Sequence, residues 1–448
     1  MTQDLSRLAE RLLEAAQKAG ADAADAIVVA GDSLSIEVRD GGLEHAERAE
    51  GVDIGLRVFV GQGQACVSAS DISETTIEEM AGRSVAMARE APEDPFCGLA
   101  DPAELASDWD IGSLELEDPG AAPSPDELKV MALEAEAAAL SIDGVTKMDG
   151  AGASWNHSRI HLAASNGFSG GYARTSNAIQ AVAISGDNVG MERDYAFEVR
   201  NYRSDLPTAQ AIGTLAGERT VARIGSGRPP TGAWPVLFDE RVASSLVGHL
   251  VQAVNGSAVA RGASWLKEAL GEQVLPRGMD LIEEPRRPRV SGSRPFDAEG
   301  LPVARRALVL DGVLQGWTLD LANARKLGMK STGNAARGTS APPSPAVSNL
   351  ALTQGDKSRE DLLRDMGTGL LVTGLIGSTI NPNTGDYSRG ASGFWVENGE
   401  ITRPVNECTI AGNLRNMLGK IVAANDARAH LSRVVPSLLV EGLVIAGS

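Results

Sequence analysis

Short apolar runs separated by glycine turns most constrain how this chain can fold. Four β-like runs occupy residues 26–30, 33–39, 52–60 and 64–69, with Gly-Asp, Gly-Gly and Gly-Gln-Gly sequences between them. Glycine adopts the backbone conformations of tight turns without the strain that other residues suffer, so this spacing favours antiparallel hairpins. The sequence therefore predicts an antiparallel meander near the start of the chain.

Helical patterns stand in groups beside the β-like runs. The first 20 residues form an amphipathic pattern, Ser73 opens a second that runs to about residue 89, and a third spans residues 125–141. Asp239 is the predicted N-cap of a further helix, which follows a buried strand at residues 234–238. The last 90 residues alternate apolar runs with turns. These patterns predict an α+β fold of mostly antiparallel sheets with grouped helices.

We predict two domains. Residues 225–232 are rich in glycine and proline and cannot continue a helix or a central strand, so the boundary is placed there. An N-terminal α+β domain takes residues 1–225, and a C-terminal, β-rich α+β domain takes residues 226–448. Residues 90–128 hold twelve acids, no Lys or Arg and several prolines. The segment 90–125 is therefore interpreted as a solvated connector, with an acidic strip for a basic peptide as the alternative.

Charge and cysteine content limit the partners and the compartment. The formal net charge of −18 disfavours direct contact with nucleic acid or an anionic membrane. Three scattered cysteines provide no disulfide framework, and the charged N-terminal helix lacks the apolar core of a signal peptide. No apolar run approaches the roughly 18 residues that span a bilayer. We expect a cytoplasmic protein.

Neither of two glycine-rich motifs predicts a catalytic or phosphate-binding site. Residues 167–171 match G-x-S-x-G, but a nucleophile elbow needs a strand before it and a helix after it, and here another strand-like run follows. This stretch is predicted to be a hairpin tip. Residues 61–63 offer G-x-G without a third glycine or a following helix, so they predict a turn and not a phosphate-binding loop.

His249 lies on the apolar face of the helix that Asp239 opens. At 100° per residue, Val242, Leu246 and Leu250 share that face with it. Such a histidine is more often a packing residue than a metal ligand. A zinc ion would need two further ligands and, for hydrolysis, a general base, and the neighbouring residues supply none of these.

Several longer stretches identify a family. They are Arg-Pro-Phe-Asp-Ala-Glu-Gly at 294–300, Asp-Gly-Val-Leu-Gln-Gly at 311–316, Ala-Arg-Lys-Leu-Gly at 324–328, Ser-Thr-Gly-Asn-Ala-Ala-Arg at 331–337 and Asn-Glu-Cys-Thr-Ile-Ala-Gly-Asn-Leu at 406–414. In order and spacing they resemble the TldD/PmbA family, once called modulators of DNA gyrase and now regarded as a two-subunit cytoplasmic metallopeptidase.

The resemblance also indicates a branch of that family. In the TldD branch the helix resembles H-E-x-x-x-H, with a later cysteine as third zinc ligand. Here Ser244 stands at the first histidine and Ser245 at the glutamate, and only His249 remains. Cys408 comes too early for the ligand and is expected to be buried. The chain thus resembles the PmbA, or TldE, branch, which implies no catalytic residue and no metal ligand set in this chain.

The resemblance implies a partner subunit and a peptide substrate. A TldD-like metallopeptidase subunit would supply zinc, the substrates would be unstructured peptides, and a homodimer is expected where the partner is absent. Polar, glycine-flanked segments supply the candidates for a peptide cleft, namely Asn334, Arg337, Thr379, Asn381 and Arg389. The alternative for each is a turn hydrogen bond or a salt bridge.

Two other functions stay open at this point. His249, His430, His157 and His161 could assemble a divergent metal site in an active metallopeptidase, although His157 and His161 lie in a strand-like run about 13 Å apart. The chain could also be a non-enzymatic, gyrase-modulating protein. Mimicry of DNA would need acids spaced like phosphates, whereas most acids here lie in one connector and on helix faces.

Overall fold

Six strands of the N-terminal half form one antiparallel sheet. The computed structural model describes residues 4–187 and 190–447, so residues 1–3, 188–189 and 448 of the two predicted domains lie outside it. The spatial order is β3-β2-β1-β4-β5-β6. The strands are β1 (Ala23–Arg39), β2 (Gly42–Val60), β3 (Gly63–Ala69), β4 (Val145–Ala164), β5 (Ser169–Ser185) and β6 (Glu192–Arg200). The predicted meander is confirmed, because β1, β2 and β3 are consecutive neighbours.

The number of strands in that meander was predicted wrongly. Residues 26–30 and 33–39 belong to the single strand β1, because Gly31 and Asp32 do not turn. Gly31 pairs with Gly51 on β2 and with Ser158 on β4. Ladder partners on both sides satisfy the backbone of Gly31, so tertiary pairing overrides its local turn preference.

Two pairs of helices cover one face of this sheet. The pairs are α1 (Leu5–Ala19) with α2 (Glu74–Glu90), and α3 (Pro125–Leu140) with α4 (Ala209–Val221). The even-numbered apolar residues of β1 point to both, since Val28 packs with the first pair and Ile36 with the second. Ser73 is the N-cap of α2 as predicted. A Cβ at Gly213 of α4 would lie 2.0 Å from the Ala135 carbonyl oxygen of α3, so the second pair packs backbone to backbone.

The acidic segment crosses from the N-terminal sheet to the C-terminal half. It contains two short 3-10 turns, Pro102–Glu104 and Gly112–Leu114. The backbone N–H of Ala106 donates to the Gly300 carbonyl, and the Leu114 carbonyl accepts from the N–H of Arg289. Ala106 and Leu114 are buried while most acids of the segment are exposed. Ala106 also shares an apolar cluster with Ile27 of β1 and Phe296, so a few apolar residues anchor the segment to both halves.

Strands of the C-terminal half form a sheet that closes on itself. Its order is β16-β15-β14-β7-β19-β17, and β16 also pairs with β19. The strands are β7 (Gly232–Phe238), β14 (Gly369–Ile380), β15 (Asp386–Glu397), β16 (Glu400–Asn413), β17 (Val422–Ala423) and β19 (Leu438–Ala446). Only the β14–β7 pairing is parallel in this sheet as described. The predicted α+β class with mostly antiparallel sheets is confirmed.

Smaller elements surround the closed sheet. A five-stranded sheet contains β8 (Leu281–Glu283), β9 (Arg306–Leu310), β10 (Val313–Leu314), β13 (Leu350–Leu352) and β18 (Arg433–Val434). A two-stranded ribbon joins β11 (Ala335–Ala336) to β12 (Ser344–Pro345). The helices are α5 (Glu240–Ala253), α6 (Gly256–Ala260), α7 (Leu321–Lys326), α8 (Arg359–Met366) and α9 (Leu414–Leu418). Within the described ranges, no helix has the length and apolarity required to cross a bilayer.

The predicted hairpin at residues 167–171 is confirmed. β4 ends at Ala164 and β5 begins at Ser169, so the G-x-S-x-G stretch lies at a strand-to-strand turn. Gly167 has φ +99°, a conformation that favours glycine. No helix follows the serine, and the stretch therefore lacks the geometry of a nucleophile elbow.

Candidate functional site

Helix α5 carries the histidine that the sequence singles out. Its N-cap is Asp239, as predicted, and the Asp239 carboxylate accepts a hydrogen bond from the backbone N–H of Arg241. Leu246 and Leu250 are buried in the core of the closed sheet. A capped start and an apolar face fix the rotation of α5, and that rotation determines where His249 points.

The imidazole of His249 is buried and makes no hydrogen bond of good geometry, although the Gln252 side chain lies close enough to influence it. The residue is 9% exposed, and neither ring nitrogen makes such a bond among the described residues. The ring meets Tyr387 edge to face, with centroids 5.8 Å apart, and the Tyr387 hydroxyl is likewise unpartnered in the described ranges. Burial lowers the pKa of His249, the charge of Arg389 lowers it further, and the Gln252 side chain offsets part of the change. Buried polar atoms normally have partners, so this pair is unusual.

His249 faces a cavity of about 280 Å³, which we call the His249 cavity. Its walls come from α5, from α6 and the segment after it, and from the hairpin between β14 and β15. The remaining lining residues are Gln252, Ala253, Ala258, Arg261, Ala263, Trp265, Ile380 and Pro382. A Cβ at Gly385 in the hairpin turn would lie 3.3 Å from the Trp265 ring, so the two walls touch. The cavity is thus formed by packed elements.

The residues beside His249 do not fit a zinc ion. The Ser245 hydroxyl donates to the Val242 carbonyl at 2.7 Å, so it serves its own helix. Ser244 has no imidazole or carboxylate to offer, and five helical positions separate it from His249, which turns the two side chains apart by about 140°. Within residues 4–187 and 190–447, no three His, Cys, Asp or Glu side chains are grouped so that they could hold a metal.

The other histidines lie apart from this helix, each beside its own partner. His157 and His161 are both on β4, where His157 Nε2 is 2.9 Å from Glu117 Oε1 and His161 Nε2 is 3.0 Å from Ser169 Oγ. His430 Nε2 is 3.3 Å from Glu198 Oε1. The structure therefore does not bring the four histidines of the alternative metal site together.

Three of the five predicted cleft residues lie on the hairpin that walls the His249 cavity. Thr379 and Asn381 flank the lining residue Ile380, and Arg389 follows on β15. Asn381 Oδ1 accepts a hydrogen bond from the backbone N–H of Asn383, and Arg389 Nε donates to the Gly377 carbonyl at 2.6 Å. The hairpin thus uses the Asn381 and Arg389 side chains for turn contacts, Thr379 is exposed, and the cavity lining itself is Ile380 and Pro382.

Asn334 and Arg337, the other two, lie in buried polar networks. Asn334 is 2% exposed, and its amide donates to Glu283 Oε1 at 2.8 Å. Arg337 forms an ion pair with Asp25 of β1, and Arg57 Nε donates to the same carboxylate at 2.8 Å. These two side chains hold the C-terminal half together and join it to the N-terminal sheet.

Sequence reasoning missed a second cavity, between the N-terminal sheet and α7. We call this space of about 390 Å³ the Glu299 cavity, and Arg57, Cys97, Glu299, Asp320 and Lys326 are among its lining residues. Burial and then the neighbouring charge of Asp297 raise the pKa of Glu299 to about 8. The charged residues inside the 294–300 stretch were the signal that could have found it.

Sequence comparison defines the class of protein to which this fold belongs. Residues 24–88 match domain 1, residues 118–224 the central domain and residues 231–447 the C-terminal domain of the PmbA/TldA metallopeptidases. The chain therefore belongs to the PmbA/TldD family of metallopeptidases, and the resemblance stated from the sequence is confirmed.

Individual relatives match most or all of the chain. It is 37% identical to "Metalloprotease PmbA" of Escherichia coli O157:H7, over 95% of this chain and 92% of that protein. It is 35% identical to a "Metalloprotease PmbA homolog" of Haemophilus influenzae, over 100% and 97% of the two chains.

Solved structures share the architecture. A Bacteroides thetaiotaomicron protein described as a candidate modulator of DNA gyrase superposes with a TM-score of 0.91, at 29% identity and with 100% of both chains covered. TldE from Thermococcus kodakarensis gives 0.85 at 20% identity, covering 98% of this chain and 100% of that one, and at this identity the likeness concerns the fold alone.

Proposed function

We propose that this chain is the zinc-free subunit of a two-subunit PmbA/TldD metallopeptidase. A TldD-like partner supplies the zinc ion and the general base, and this chain shapes the enclosure in which unstructured peptides are cut. The observation that carries the proposal is the His249 cavity. It lies in the family's C-terminal domain, yet its lining offers one histidine and no acidic side chain or cysteine.

Hydrolysis by zinc requires more donors than this cavity provides. Three protein ligands hold a catalytic zinc ion, a fourth position is left for water, and a carboxylate beside it takes the proton. His249 could fill one of these positions. Ser245, at the position of the base in the resemblance, is bonded to its own helix, and a serine hydroxyl cannot act as a carboxylate does.

One exposed strand edge of the N-terminal sheet supports the binding of extended peptides. Residues 43–52 of β2 pair with β1 only, because the pairing of β2 with β3 begins at Ile54. All but one of these ten residues are exposed, the exception being half-buried. An unpaired edge binds an extended chain through main-chain hydrogen bonds, which give affinity with little side-chain selectivity. Such an edge suits substrates that share no sequence.

The test is reconstitution with a TldD-like subunit. Each chain is purified alone, and zinc content and cleavage of an unfolded peptide are measured for each chain and for the mixture. We expect the mixture to cleave, this chain alone to hold no stoichiometric zinc, and gel filtration to show a mixed complex. Cleavage and zinc retained by this chain alone would overturn the proposal.

A matched variant pair assigns the metal to the partner. His249→Phe in this chain keeps the ring volume and removes both nitrogens, so zinc content and zinc-dependent cleavage in the mixture should persist. Replacement of a zinc-ligating histidine in the TldD-like partner should abolish both. We also propose that, without the partner, this chain forms a homodimer through the same surface. Light scattering before and after addition of the partner would then show the homodimer replaced by a mixed dimer.

A further inference from the structure

We propose that the His249 cavity is a carboxylate pocket that holds the C-terminal residue of a peptide, with the carboxylate bound by Arg261 and with the His249 ring at the back of the pocket. The inference rests on the proposed function, because it identifies the part of a peptide that this subunit holds. Its grounds are the charge of the lining, the unpartnered polar atoms and the size of the space.

The lining carries positive charge only. Arg261 is the one ionised side chain among the lining residues, all of which the structure describes, and Arg389 lies close enough behind His249 to shift its pKa. One guanidinium N–H of Arg261 donates to Ser257 Oγ at 2.6 Å on the side of the Glu299 cavity, and Arg261 is exposed between the two cavities. A guanidinium has five N–H donors in a planar fork that matches a carboxylate, so donors remain for a ligand. A cationic ligand would find no counter-charge here.

Polar groups of α5 lie at the back of the cavity. His249 is buried and lines the space, and its two ring nitrogens, which are covered in this structure, make no hydrogen bond of good geometry within the described chain, although the neighbouring Gln252 side chain influences the ring. Its neutral ring has one N–H to donate to an anionic oxygen, and the Gln252 amide, also in the lining, has two. A buried polar group without a partner is destabilising, and a ligand oxygen that reaches one of these atoms removes that cost.

The rest of the lining is apolar and the space is small. Ala253, Ala258, Ile380 and Pro382 provide aliphatic surface, and Trp265 provides an aromatic wall. The volume of about 280 Å³ lies near the lower end of small-ligand sites, which hold about 300–1,000 Å³. The cavity therefore suits one terminal residue with an apolar side chain, its carboxylate turned toward Arg261.

Peptide binding to the intact chain tests the pocket. The probes are fluorescein-labelled Ala-Ala-Ala-Leu with a free C-terminal carboxylate, the same peptide as its C-terminal amide, and an amidated peptide with an internal glutamate. We expect the free acid to bind at least tenfold more tightly than the plain amide. If the glutamate peptide matches the free acid, the pocket takes carboxylates from side chains as well, which supports the chemistry and widens the source.

Variants connect this preference to the cavity. Arg261→Gln should reduce the affinity for the free acid about tenfold, to that of the amide, and His249→Phe should lower it several-fold. Lys326→Gln is the control, because Lys326 lines only the Glu299 cavity, whereas Arg261 lines both. Ala263→Leu, which fills the His249 cavity without changing charge, should also weaken binding. Circular dichroism checks that each variant is folded.

The inference is overturned if acid and amide bind equally, if neither binds, or if Arg261→Gln leaves the preference intact. These outcomes are separable from failure of the proposed function. If a mixed complex cleaves acid and amide peptides equally well, the proposed role as a zinc-free subunit stands and only the carboxylate pocket is refuted. If this chain cleaves peptides without a partner, the proposed subunit role is refuted, whichever peptide terminus is preferred.

Discussion

Arg337 forms an ion pair with Asp25, which lies 312 positions earlier in the chain. The Arg337 side chain is 0% exposed, and Asp25 also binds Arg57. One carboxylate of the N-terminal sheet thus compensates two buried guanidiniums, one from each half of the molecule. Removing one member of a buried ion pair leaves the other uncompensated, so this contact is sensitive to substitution.

We predict that Asp25→Asn destabilises the protein by about 3–5 kcal/mol. Arg337→Met should cost less, because Asp25 then keeps Arg57. Urea unfolding followed by circular dichroism measures both. Asp365→Asn, which breaks the exposed Lys357–Asp365 pair, is the control and should change stability little. Equal effects of Asp25→Asn and Asp365→Asn would contradict this account.

The same ion pairs predict a response to acid. Burial by itself raises the pKa of Asp25, but the charges of Arg57 and Arg337 outweigh it and leave that pKa below its ordinary value. The stabilisation is therefore complete above the pKa of an unfolded aspartate, near 3.9, and is lost as pH falls through the lower folded value. Unfolding curves below pH 4 should show a smaller acid response in Asp25→Asn than in the wild type.

We predict that Glu299 makes the free energy of unfolding depend on pH in the opposite direction. Burial and Asp297 raise its pKa to about 8, so the folded state binds a proton that the unfolded state releases near pH 4.5. The free energy of unfolding should then fall as pH rises from about 4.5 to about 8, by up to about 1.4 kcal/mol per unit of pKa difference. Glu299→Gln should flatten the curve, since Gln stays neutral and can still accept from the N–H of Leu321. Glu78→Gln, on the exposed face of α2, is the control, and a curve unchanged by Glu299→Gln would refute the assignment.

We predict that position 300, inside the 294–300 stretch, requires glycine. It has φ +78°, and a Cβ there would lie 2.6 Å from Cγ of Phe168. Gly300→Ala should therefore add a clash to a backbone strain of about 1–3 kcal/mol. Gly328→Ala separates the two effects, because Gly328 has φ +65° with no atom within 4 Å of the added Cβ. Equal losses of stability in urea for the two variants would show that the clash is relieved.

We predict that the Cys408 thiol is unreactive in the folded protein. It is 4% exposed, its Sγ donates to the Ala391 carbonyl at 3.2 Å, and burial raises its pKa to about 11. Thiolate is the reactive form, so iodoacetamide at pH 8 should modify the more accessible Cys97 before Cys408. Peptide mass spectrometry after a timed reaction measures both sites. Rapid modification of Cys408 in the folded protein, or its protection by added zinc, would contradict a packing role.

The helix starts were predictable because their signals are local. Ser73 and Asp239 each cap a helix by bonding a backbone N–H two or three residues ahead, and the sequence displays both partners of such a contact side by side. The α+β class and the hairpin at residues 167–171 depend on equally short patterns. The break predicted at Gly31 failed because its pairing partners, Gly51 and Ser158, belong to other strands.

The candidate site divides in the same way. The sequence by itself determined which donors position 249 and its helix neighbours can offer, since serine cannot become a base or an imidazole. Only the tertiary structure decided that His249 opens on a cavity beside Trp265 and the β14–β15 hairpin, and that Arg337 turns inward to Asp25. Contacts between residues hundreds of positions apart depend on how whole sheets pack, and no short-range pattern records that packing.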